Sequence, residues 1–62
     1  MSEQDLALAL LRRAVLDAQD PKLPDAKRRG ARRFLTGHDP LDFWASVAGL
    51  DAERVRAHAR RL

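Results

Sequence analysis

Two prolines three positions apart, in Asp20-Pro21-Lys22-Leu23-Pro24, set the firmest limit on what this chain can fold into. Each removes a backbone donor and pushes the residue before it out of the helical region, so no regular element crosses the stretch. On its amino-terminal side, Glu3 to about Gln19 contains no proline or glycine and is dominated by Ala and Leu, both strong helix formers. A first helix is expected there. Laid out at about 100° per residue, Leu6, Leu10, Ala14, Ala7, Ala18, Leu11, Val15 and Leu8 gather into an arc roughly 200° wide, with Leu16 and Ala9 beyond it. An arc that wide fits either a central helix contacted on several sides or one that also pairs with a second copy of the chain.

Beyond the break, Pro24 is placed to open a second helix, with Asp25 favourable in the first turn and Gly37 as the terminator after Thr36. The expected span is about Pro24 to Leu35. On its wheel Ala26, Phe34, Ala31 and Leu35 face the core, while Arg28, Arg29, Arg32 and Arg33 cluster opposite; Gly30 weakens the helix slightly. Asp39-Pro40 reads as an N-cap and a first-position proline, with Asp42 at the third position, so a third helix begins at about Pro40 and ends at Gly49. Asp51 is the next cap. A fourth helix follows to the terminus, with Glu53 in its first turn and Arg60 and Arg61 at the end where cations suit the dipole. No strand pattern, repeat or low-complexity tract is present. The expected fold is all-α: one domain over residues 1–62, a compact bundle of three to four short helices with a helix-turn-helix from about 40 to 62.

A domain of 62 residues hides only about 60% of the surface its unfolded chain exposes, so its core is marginal. Small domains often add disulfides, a metal or an oligomeric partner, and with no cysteine the first route is closed. A homodimer through the first helix is therefore one expectation. The cysteine-free composition and an amino terminus that opens on Ser2, Glu3, Gln4 and Asp5 suit a cytoplasmic protein. No apolar run is long enough to cross a bilayer, and no membrane contact is expected. The net charge of +3 is unevenly held: residues 1–20 sum to −2, residues 21–37 to +5, and residues 38–62 carry four acids and four bases. A localised basic stripe suits an anionic partner, although solvated Arg and Lys faces are also the ordinary surface of a small helix.

A DNA-reading helix-turn-helix needs a small residue inside its first helix, a glycine four positions later that can turn left-handed, and a branched apolar residue six further on. Ala45, Gly49 and Val55 have that spacing, and Trp44, Ala48 and Leu50 occupy neighbouring positions suited to burial between the helices. From about Leu41 to Arg60, roughly a third of the chain, the sequence resembles the helix-turn-helix superfamily of bacterial and phage regulators. The whole chain also loosely resembles small all-helical proteins of alphaproteobacterial prophage and gene-transfer-agent loci. Arg32, Arg33, Phe34 and Leu35, then Ala48 to Asp51, then Val55 and Arg56 carry that likeness. It implies regulation or packaging of phage-like DNA.

The expected function is that of a small DNA-binding or transcription-associated protein. Arg28, Arg29, Arg32 and Arg33 would neutralise phosphates of double-stranded DNA, Arg56 and Arg60 would approach bases, and Arg54 would meet the backbone. Two carboxylates at the start of the fourth helix, Asp51 and Glu53, oppose this unless Asp51 is consumed as a cap or Glu53 accepts from cytosine N4. The alternative is a protein-interaction adaptor or inhibitor that sets the same basic face against an acidic protein surface, without DNA. Phe43 and Trp44 could stack on single strands, but core packing is the expectation for them and for Phe34. An enzyme is not expected: two histidines, two serines and no cysteine offer few nucleophile–base pairs. His38 and His58 lack the neighbours that would complete a metal site, no glycine-rich phosphate loop exists, and no cofactor is expected.

Overall fold

A computed structural model describes residues 1–62 as four helices, α1 (Glu3–Gln19), α2 (Asp25–Thr36), α3 (Asp39–Ala48) and α4 (Ala52–Arg60), with no strand. Each boundary has a local chemical cause. The Ser2 hydroxyl accepts from the Asp5 amide at 3.1 Å while the Asp5 carboxylate accepts from the Ser2 amide at 3.3 Å, a reciprocal capping box at the start of α1. At the other end the Asp20 carboxylate accepts from the Lys22 amide at 2.9 Å, which folds the proline connector into a turn. α2 starts one residue later than expected, with the Pro24 carbonyl accepting from the Lys27 and Arg28 amides. It runs on to Thr36, whose hydroxyl donates back to the Arg32 carbonyl at 2.9 Å. Gly37 ends it in extended backbone, φ −80°, so this stop does not draw on glycine's left-handed freedom.

Asp39 does not cap α3. It is the first helical residue, after His38, and no side chain caps this end; Pro40 has no amide proton to satisfy, and the Asp42 amide donates to the His38 carbonyl at 2.7 Å. Gly49 then turns left-handed, with φ 76° and ψ 25°, the one positive φ in the chain. Its amide donates to the Ser46 carbonyl at 3.1 Å and the Leu50 amide to the Ala45 carbonyl at 2.8 Å, the paired bonds of a Schellman motif. α1 contributes as well: Gln4 Nε2 donates to the Ala48 carbonyl at 3.2 Å, one of the acceptors left over where α3 stops. Asp51 caps α4 by accepting from the Glu53 amide at 3.0 Å, and α4 ends at Arg60, short of the expected terminus.

α1 is the hub, packing along both α2 and α3; α2 also packs on α4, whereas α1 and α4 barely touch. The buried apolar residues are Ala7, Leu11 and Ala18 of α1, Leu35 of α2, Leu41, Ala45 and Ala48 of α3, and Ala59 of α4. Five of these eight are alanines, which lets helices approach closely while hiding little apolar area apiece. Only Leu35 and Leu41 are large side chains with essentially no exposure. The arc on α1 is narrower than its composition suggested: Leu6, placed within it, is more than half exposed, as is Leu16 beyond it. Ala26 is exposed instead of facing the core. Phe43, also expected inside, is 59% exposed and meets the half-buried Trp44 edge-on, with ring centroids 5.1 Å apart. Leu41, Ala45 and Ala48 share the inward stripe of α3, and Phe43, two positions after Leu41, falls on the far side of the helix. The molecule measures 30 × 24 × 16 Å, and no helix is long and apolar enough to cross a membrane.

Candidate nucleic-acid interface

Spacings of three and four along α2 gather Arg28, Arg32, Arg29 and Arg33 into one arc; Arg29 and Arg33 lie far from Leu35 and the half-buried Ala31 and Phe34, while Arg28, two turns before Leu35, sits at the arc's inner edge. Arg29, Arg32 and Arg33 are exposed. Arg28 is half-buried and pairs with Asp25, one turn earlier and the lone acid between residues 21 and 37. Arg28, Arg29 and Arg32 border a shallow hollow of about 300 Å³ beside Ala18 and Gln19 at the end of α1. The Arg32 guanidinium also donates to the Leu62 carbonyl at 2.8 Å. That bond joins the basic face of α2 to the end of α4, where Arg60 and Arg61 are exposed.

The arginines of α4 do not share one surface. Arg56 follows Ala52 and Val55 and precedes Ala59 on the packed side of the helix, and its side chain is only 6% exposed. One terminal nitrogen, Nη1, donates at 2.8 Å both to the Gly37 carbonyl and to Asp42. Nε and Nη2 donate to Glu53 Oε1 at 3.2 and 2.6 Å. The hydrogen bonds to Asp42 and then Glu53 hold its proton more firmly than usual, against the opposite push of desolvation. Arg56 is therefore enclosed, not presented to solvent as its spacing with Arg60 suggested: reaching a base edge would break its bonds to Asp42, Glu53 and the Gly37 carbonyl. Its position instead places a cation at the carboxyl end of α2, where the helix dipole favours one.

Arg54 points another way, lining a cleft between α4 and α1 together with Arg12 and His58. Of the α4 arginines named from sequence, Arg60 is exposed, two residues before the Leu62 carbonyl that Arg32 binds. The two carboxylates that opposed DNA are both engaged, Asp51 with the Glu53 amide and Glu53 with Arg56. Asp42 and Glu53 are not recognisable from composition or helix-wheel position as partners of Arg56. The Glu53–Arg56 spacing of three is the available signal for one of them; nothing local announces Asp42, fourteen residues away. His38 and His58 lie apart, before α3 and on α4, and no group of three or more His, Cys, Asp or Glu could hold a metal ion. No protein-family model, curated protein or solved structure matches the chain.

Proposed function

We propose that this domain is a small DNA-binding protein that grips the phosphate backbone of duplex DNA through α2. The observation that carries the reading is the exposed row Arg29, Arg32 and Arg33, with the exposed Arg60 and Arg61 immediately preceding the Leu62 that Arg32 binds. With Asp25 paired to Arg28, no unpaired carboxylate from α2 interrupts that row. Such contacts position a protein on a duplex without reading its sequence. The left-handed turn at Gly49 is compatible with a helix-turn-helix, but with Arg56 enclosed, α4 retains no arginine aimed from its first turns at base edges except Arg54, which faces the cleft. Binding is accordingly expected to depend on charge far more than on base sequence. Pairing of two copies through the outer side of α1, where Leu6 and Leu16 are exposed, would double the number of phosphates engaged.

Fluorescence anisotropy on random-sequence duplex at about 50 mM salt tests the reading, a range in which phosphate-only binding is measurable. Arg29→Ala with Arg33→Ala should weaken binding to every duplex alike and flatten the slope of log K against log salt by about 0.9 for each phosphate no longer neutralised. Absence of binding by the folded protein at low salt would transfer the basic face to the alternative partner, an acidic protein surface.

A further inference from the structure

Where α1 and α4 make little contact, an open cleft of about 670 Å³ lies between them. Its floor is apolar. Leu8, Leu11 and Val15 come from α1 and Val55 from α4, while Leu50, 44% exposed, closes the end at the turn. Its rim carries two cations, Arg12 on one wall and Arg54 on the other beside His58, and neither arginine has an ion-pair partner in the structure. The one acid at the rim, Asp51, is occupied by the Glu53 amide.

We propose that this cleft is the docking site for an acidic amphipathic helix of a partner protein. Two helices that do not pack on each other, both seated on a common core, leave the slot in which a further helix makes contact with both. Helix-in-groove recognition uses an apolar stripe at spacings of three and four, and such a stripe would cover Leu8, Leu50 and Val55. Carboxylates on the two flanks of that stripe would meet Arg12 on one wall and Arg54 on the other, which is what selects an acidic helix over a basic one. A second copy of this chain is a poorer fit. The outward stripe of its own α1, Leu6, Ala9 and Leu16, carries Arg13 in its middle, and the adjacent carboxylate, Asp17, is already bonded to Arg13 at 3.1 Å and so is not free for Arg12 or Arg54. Docking here is independent of duplex binding, which uses α2.

Three peptides of about 18 residues test it by amide chemical-shift titration of the domain. One carries Leu at amphipathic spacing among Glu, one the same Leu among Lys, and one the same Glu with Ser replacing Leu. The Leu/Glu peptide should shift Leu8, Val15, Leu50, Val55 and His58 and leave Arg29 and Arg33 unmoved, while the Leu/Lys and Ser/Glu peptides leave the cleft unperturbed. Arg12→Glu with Arg54→Glu, both at exposed positions, should weaken the Leu/Glu peptide by about tenfold or more and admit the Leu/Lys peptide. Arg54→Gln alone gives the same comparison in a milder variant. Shifts confined to α2, an equal response to the Ser/Glu peptide, no response to the Leu/Glu peptide, or unchanged affinity in the charge-reversed variant would overturn the proposal. So would concentration-dependent shifts at the cleft without peptide, which would give it to a second copy.

Discussion

Arg56 has exchanged water for three fixed partners, and what it holds together comes from three places: Glu53 on its own helix, Asp42 on α3 and the carbonyl of Gly37 beyond α2. Arg56→Ala would take this donor from all three and empty its packed site; the Asp42 and Glu53 carboxylates, 49% and 70% exposed, can turn to water, so the loss is chiefly of the link between α2, α3 and α4. Thermal unfolding followed by circular dichroism should show a fall in Tm several times that of Arg33→Ala, whose side chain is exposed and unpaired. Arg56→Lys should recover only part of the deficit, because an ammonium cannot reproduce the forked geometry. The sign of the pH dependence follows from a proton held more tightly in the folded state. The stabilisation from the guanidinium is intact below its unfolded pKa and disappears only in strong alkali, as pH rises through the folded value. Across neutral pH the Arg56 guanidinium itself contributes no slope.

At the scale of the helix and its turn, Gly49 is the position where backbone geometry decides. Its φ of 76° is one that side chains adopt at a cost of about 1–2 kcal/mol, more when β-branched, and an added Cβ would also lie 3.1 Å from Gln4 Nε2. Gly49→Val should therefore destabilise by about 2 kcal/mol or more in urea unfolding, and Gly49→Asn by less. The left-handed turn is legible from the Ala45, Gly49, Val55 spacing, as are the proline break and the Asp51 cap, because each is written within a few neighbouring residues. Asp39 misleads because the Asp42 amide, a donor that a carboxylate cap there would bind, is taken by the His38 carbonyl, so the helix begins one residue earlier. Phe43 misleads for a different reason: scarcity of aromatics argues for burial, while its angle from Leu41 and Ala45 argues against, and the angle prevails. The arginines of α2 are readable as one face, since a single helix holds them. Those of α4 are not, since their directions depend on which helices lie beside each flank; the bond from Gln4 to Ala48, forty-four residues on, is likewise invisible until the helices are assembled.

For the molecule as a whole, a core built largely from alanine leaves α1 with exposed leucines at Leu6 and Leu16. Self-association through that stripe should appear as a dimer in sedimentation at micromolar concentration and vanish with Leu6→Glu and Leu16→Glu, both outside the core; a wild-type monomer would remove it. The sparse contact between α1 and α4 bears on motion as well as on recognition. α4 is tethered by α2, by a limited contact with α3 and by Arg56, whereas α1 is clasped on two sides. Native-state hydrogen exchange should rank the helices accordingly, with α4 amides exchanging through the lowest-energy opening and α1 amides close to the global limit. When α4 lifts away, the segment from Gly49 to Asp51 loses its anchor on one side, and limited proteolysis should make its first cut there, leaving a three-helix remnant as the earliest visible product.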